Sequence, residues 1–194
     1  MTLVLASASS IRATMLDSAG VAHQVDPSQI DETALKNAHG GGDAELAIAL
    51  AEAKAIDTSR RHTGIWVIGG DSLVSVDGQR FDKPTSLGEA ADHLRFFSGR
   101  QMRLTSAVAL ALGGRTDWSY AGQAILHVRT LSDDFIHTYL EAEWPAAANC
   151  VGVFRMEGRG VTLFTQVEGD HFTILGMPLL PLLGALRERD LVAA

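Results

Sequence analysis

The stretch LVLASASSIRATMLDSAGV, residues 3–21, constrains this chain more than any other. Leu3, Val4 and Leu5 form a short apolar run, which predicts a buried strand. The run breaks into small hydroxyl residues, Ser7, Ser9 and Ser10, and a helical pattern follows, with Ile11, Met15 and Leu16 on one face and Arg12 near the start. Gly20 sits where a residue just past a helix end belongs. A strand leading through a serine-rich turn into a helix N-terminus offers free backbone N–H groups, hydroxyl donors and the positive end of the dipole, and Arg12 adds a charge. That combination is an anion site of the kind phosphate occupies. It is equally an ordinary strand–helix unit with a serine N-cap, and this stretch alone does not separate the two readings.

Composition narrows the partners. The net charge is −7 and no run of lysine or arginine occurs, so a nucleic-acid groove is not expected. Cys150 is the single cysteine and cannot form an intrachain disulfide, which suits a reducing cytosol. No stretch of about 18 apolar residues is present, so no membrane span is expected and the reading is a cytoplasmic protein without a targeting segment. A length of 194 residues fits a single domain over 1–194, with room for two lobes.

Further along, His23 to Val25 predicts a second short strand. The polar run DPSQIDETALKNAHGGG reads as a loop, and its acids Asp26, Asp31 and Glu32 are of the type that hold a divalent cation beside phosphate. Asp43 to Arg61 predicts a helix capped by Asp43, with Leu46, Ala47, Leu50 and Ala51 at helical spacing and Lys54 read as a surface lysine. Ile65 to Ile68 predicts a buried strand. Gly69 and Gly70 then permit a close backbone approach, Asp71 stands at the strand end, and the chain continues extended through Ser72 to Val76. Asp77-Gly78 signals a hairpin, and Lys83-Pro84 closes the unit. Leu87 to Phe97 and Ser132 to Glu143 predict helices, the second capped by Ser132. Arg103 to Leu112 and Ser119 to Val128, joined through Gly113-Gly114, predict a strand pair that builds a sheet arm. Val151 to Met156 and Val161 to Val167 predict strands, and Pro178 to Arg189 a closing helix.

Several of these stretches together resemble the Maf-like nucleotide pyrophosphatase family. LASASSIRATML (Leu5 to Leu16) is similar to the family's LASxSPRRxxLL, and Ile30-Asp31-Glu32 to the end of its acidic loop. Leu50 to Ala55 resembles its LAxxKA. Gly69 to Val74 with Asp82-Lys83-Pro84 resembles its G-x-D-T-V-V…GKP. FSGRQMRLTSAVAL (Phe97 to Leu110) and the closing stretch from Val151 resemble its later motifs, so the similarity runs over nearly the whole chain. The resemblance implies a two-lobed α/β fold, similar to inosine triphosphatases, with a long mixed sheet flanked by helices and a central cleft. It implies hydrolysis of a nucleoside triphosphate to the monophosphate and pyrophosphate with a divalent metal cation such as Mg²⁺ or Mn²⁺. It also carries an association with septum formation.

Carried over residue by residue, the resemblance implies Asp71 as general base, Glu32 and Asp71 as metal-binding carboxylates, and Arg12, Lys54 and Lys83 as phosphate contacts, Lys83 also counted with the catalytic set. Ser7 and Ser9 complete the phosphate cradle. The chain departs from the pattern at Ser10-Ile11, where the family has Pro-Arg, at Met102 and Ser106, where it has histidine and glycine, and at Glu157, where a glutamine is common. Ile11, Ser72 and Glu157 correspond to positions that bear on base choice. A glutamate only accepts hydrogen bonds and carries a negative charge, which suits the N1–H and amine of guanine and the cationic ring of 7-methylguanine. The expected substrate is therefore 7-methyl-GTP, the alternatives being a dTTP/UTP pyrophosphatase of the same family or a catalytically weak nucleotide-binding regulator. A homodimer built on the predicted arm is a further expectation of the resemblance.

Overall fold

The computed structural model describes residues 2–193. Its elements run β1 (Leu3–Leu5), α1 (Ser10–Ser18), β2 (His23–Val25), α2 (Glu32–Ala38), α3 (Asp43–Arg61), β3 (Val67–Val76), β4 (Gln79–Phe81), α4 (Leu87–Phe97), β5 (Gln101–Leu112), β6 (Arg115–Val128), α5 (Asp133–Glu143), β7 (Phe164–Glu168), α6 (His171–Ile174) and α7 (Leu179–Arg187). The strands make one seven-stranded mixed sheet in the order β2-β1-β3-β5-β6-β7, with β4 hairpinned onto β3. β1 lies parallel to both β2 and β3, while β3–β4 and β6–β7 are antiparallel. This is the mixed α/β class expected from the sequence.

The chain forms two compact units. The first comprises residues 1–72, 105–122 and 170–194, and the second 73–104 and 123–169. In the first, strand alternation sorts the core by parity. Leu3, Leu5, Ile68, Val108 and Leu110 pack with Met15 and Leu16 of α1 and with Leu182 and Leu186 of α7. Val4 and Val67 turn to the opposite face, where Leu46, Ala47, Leu50 and Ala51 of α3 are also fully buried. In the second unit Phe81 of β4 packs against Phe96 and Phe97 of α4, with ring centroids 5.1 and 4.8 Å apart.

Local signals explain most boundaries. Ser9 is the N-cap of α1, accepting from the Arg12 N–H, and Gly20 ends that region at φ 69°. Asp77 (φ 50°) and Gly78 (φ 80°) both take the left-handed conformation that a two-residue hairpin turn demands. The rest corrects the sequence reading. The polar run after β2 contains α2, capped by Asp31, whose carboxylate accepts from Ala34 N at 2.9 Å. With no buried residue, that helix has no apolar stripe to betray it. Gly42, not Asp43, is the N-cap of α3, its N–H held by the Glu45 carboxylate at 3.0 Å. Ile65 lies in the turn before β3, and its N–H bonds the His62 carbonyl. Asp71 stands within β3 rather than at its end. The predicted arm is interior: β5 lies between β3 and β6, and residues 104–111 are buried without interruption, as a strand covered on both faces requires. Val151 to Met156 is not a strand, because Gly152 (φ 81°) and Val153 (φ 59°) coil the chain into short 3-10 turns. The last predicted strand begins only at Phe164, after a 3-10 turn over Arg159–Leu163.

Candidate active site

β1 ends early and β3 does not. The parallel ladder pairs Leu5 with Ile68, and Ala6 N bonds Ile68 O at 2.8 Å. Beyond this point β3 continues through Gly69–Ser72 while the other chain turns away as the Ser7–Ser9 loop into α1. Successive residues of this overhang face opposite sides of the sheet. Gly69 and Asp71 face α3, whereas Gly70 and Ser72 face Arg12 and the Gly176 turn.

Toward α3, Gly69 sets the spacing. A Cβ on Gly69 would fall on the Ala51 carbonyl and lie 2.8 Å from the Ala55 nitrogen, so only glycine lets the helix settle this close. The close seat brings Lys54 Nζ to 2.6 Å from Asp71 Oδ1 and 2.8 Å from Glu32 Oε1. Lys54 and Asp71 are both buried, and Glu32, the first residue of α2, is partly exposed. The lysine read from its helix position as a surface residue is instead the buried hub of two carboxylates.

Toward α1, Arg12 organises the second group. Its Nε donates to Gly176 O (2.8 Å), Nη1 to Ser7 Oγ (3.0 Å) and to Gly70 O (2.9 Å), and Nη2 to Ser72 Oγ (3.0 Å). Gly70 O points the same way as Ile68 O, into the position that a longer β1 would have paired, and the guanidinium takes its place. Burial lowers the Arg12 pKa, and the nearby charges of Asp71 and Glu32 oppose that shift. A guanidinium carries five N–H donors, so the protein itself engages four of them here. Ser7 Oγ accepts from both Arg12 Nη1 and Ser9 N, which fills its two acceptor positions and leaves its O–H to donate outward. Ser72 Oγ is further bonded to Ser106 Oγ at 2.9 Å and to Gly176 O at 3.3 Å.

The structure thus gathers Ser7, Ser9, Arg12 and Ser72 into one network, and Glu32, Lys54 and Asp71 into another, both in the first unit. Ile11 is half-buried in the first turn of α1. Lys83 and Glu157 belong to the second unit. Lys83 is exposed just past β4, and its charge reaches the Cys150 thiol; Glu157 is exposed beside Gly158, 3.6 Å from Arg155 Nε. Burial is the main cause that pushes the Cys150 thiol up, with the charge of Glu157 adding to it. Sequence reasoning missed Gly176 as a partner of Arg12. Only the glycine itself was visible in the sequence; its φ of +101°, which forms the turn that presents the carbonyl, belongs to the structure. Ser106 was noticed only as a departure from a family glycine, and its role as the partner of Ser72 needed the β3–β5 pairing to be seen.

Among the described residues no three of His, Cys, Asp and Glu form a ready metal cage. Glu32 and Asp71 are nevertheless brought together, each holding the Lys54 ammonium through one carboxylate oxygen. That donor set fits Mg²⁺, which takes one or two carboxylates and completes its shell with water and phosphate oxygens. No helix of the described residues is long and apolar enough to cross a membrane.

The chain matches known proteins over its full length. The family profile described as Maf-like protein covers residues 2–189. A 7-methyl-GTP pyrophosphatase of Rhizobium meliloti (strain 1021) is 43% identical over 195 residues, spanning 99% of this chain and 98% of that protein. Nucleoside triphosphate pyrophosphatases of Granulibacter bethesdensis and Sphingopyxis alaskensis are 45% and 47% identical, each spanning 98% of both chains. Identity of this order, end to end and together with the family profile, establishes that this chain belongs to the Maf-like family.

Proposed function

We propose that this protein is a nucleoside triphosphate pyrophosphatase, cleaving between the α and β phosphates to give a nucleoside monophosphate and pyrophosphate. The observation that carries this reading is the Glu32–Lys54–Asp71 cluster, in which Lys54 and Asp71 are buried, beside a serine-lined helix N-terminus whose Ser7 hydroxyl is left to donate. The curated relatives named above support it. Lys54 orients the Asp71 carboxylate through Oδ1. Asp71 takes a proton from water as the water oxygen attacks the α-phosphorus. The bond from that phosphorus to the bridging oxygen breaks, and pyrophosphate leaves with the bonding pair. Ser7 and the N–H groups opening α1 stabilise the growing phosphate charge. A divalent cation held by Glu32 and Asp71 would supply further charge neutralisation at the phosphates.

In this reading the substrate is a guanine-type nucleotide, 7-methyl-GTP first, because Glu157 offers a base only acceptors and negative charge. The protein acts in the cytoplasm. The test is a panel of 7-methyl-GTP, GTP, UTP, dTTP and ITP at fixed Mg²⁺, with products resolved by phosphorus NMR. Monophosphate and pyrophosphate in equal amounts, fastest from 7-methyl-GTP and abolished by a chelator, are expected. Diphosphate and inorganic phosphate would show the wrong bond being cleaved. Nucleotide binding without any turnover would make the protein a regulator instead.

A further inference from the structure

The end of α5 buries a carboxylate that the phosphate chemistry does not use. Glu143, the last residue of that helix, is 8% exposed. A negative charge at a helix C-terminus opposes the dipole, so this position needs compensation from elsewhere. The compensation comes from residues 155–159. Glu143 Oε1 accepts from the Arg159 N–H at 3.2 Å, and Arg155 Nε lies 3.8 Å from Oε2. Both Glu143 Oε2 and Arg155 Nε are buried without a hydrogen-bond partner. The loop is wound tightly around them. A Cβ on Gly158 would stand 3.3 Å from Glu143 Oε2 and 3.2 Å from Arg155 Nη2, and one on Gly160 would strike the backbone of Arg155.

The same Arg155 Nε is 3.6 Å from Glu157 Oε1. One guanidinium therefore stands between two carboxylates, Glu143 beneath it and Glu157 at the surface. The trio has one positive and two negative charges, and its contacts are ion-pair distances rather than saturated hydrogen bonds. We propose that Glu143 is a positioning residue for base choice: by sharing Arg155 it leaves the Glu157 carboxylate with uncompensated negative charge for a cationic or amine-bearing nucleobase. This rests on the reading of Glu157 given above. Were Glu143 neutral, Arg155 would serve Glu157 alone, and the charge available to the base would fall. Were Arg155 neutral, that charge would rise.

Opposite signs make the test decisive. The ratio of kcat/KM for 7-methyl-GTP to that for UTP is measured with Mg²⁺ for the wild type, Glu157→Gln, Glu143→Gln and Arg155→Gln. Glu143→Gln keeps an oxygen to accept the Arg159 N–H. Glu157→Gln and Glu143→Gln are each expected to lower the ratio by about twofold to fivefold, the range of a partly exposed charge contact, and Arg155→Gln to raise it. A purely structural role would slow both substrates together and leave the ratio unmoved. If Glu157→Gln shifts the ratio and Glu143→Gln does not, the inference falls while the reading of Glu157 stands. If Glu157→Gln leaves the ratio unchanged, both fall. Should Glu143→Gln fail to fold, a ratio that stays level or drops in Arg155→Gln overturns the proposal.

Discussion

Arg12 and Lys54 show how burial changes what a cation does. Each is buried, and each is surrounded by acceptors from the chain itself. Lysine presents a compact ammonium that two carboxylates can share, whereas the arginine fork spans three separate backbone segments, so the two are not interchangeable here. His93 shows the converse, a titratable ring placed among apolar ones. It meets Phe81 edge-on at 5.1 Å and Phe97 at 5.9 Å. Burial lowers its pKa, and the charges of Glu89, Asp92 and Asp82 only partly offset this. The folded state therefore prefers the neutral ring, and the unfolded chain takes up the proton first as pH falls. This contribution is fully present above the ordinary histidine value and is lost as pH drops below it. Urea midpoints are expected to fall between about pH 7.5 and pH 5.5, and to fall less in His93→Phe. Equal losses in the two proteins would remove His93 from this account.

At the scale of elements, the site depends on how closely α3 sits on β3. Gly69 faces the Ala51 carbonyl and the Ala55 nitrogen, atoms of a helix backbone that cannot rotate away as a side chain would. Gly69→Ala is expected to push α3 outward, draw Lys54 off Asp71, and cost about 1–3 kcal/mol of stability together with most of the activity. Gly40→Ala provides the control, because a Cβ there meets nothing within 4 Å. Equal denaturation midpoints for the two variants would mean that the close seat does not matter. The elements also mark how far sequence could be read. α1 and α5 announced themselves through serine caps, and α3 through its apolar spacing although its cap was placed one residue late. α2 did not, because it buries nothing, and residues 151–156 misled because a run of Val, Phe and Met looks like a strand until Gly152 and Val153 adopt positive φ.

Across the whole molecule, the residue types of the site were legible and their partners were not. The serine turn, Asp71 and the two glycines before it are local signals that a single stretch displays. That Lys54 is buried, that Arg12 closes the gap where β1 stops, and that β5 is an interior strand all depend on long-range strand order, which local patterns do not encode. The proposed chemistry rests on attack at the α-phosphorus assisted by Asp71. The most direct measurement is hydrolysis of 7-methyl-GTP in ¹⁸O-labelled water, with the wild type beside Asp71→Asn. The label is predicted to enter the nucleoside monophosphate and not the pyrophosphate, and turnover is predicted to fall by about 10²–10⁴-fold in Asp71→Asn with the fold intact by circular dichroism. Label in the pyrophosphate, or an Asp71→Asn protein as fast as the wild type, would contradict the account.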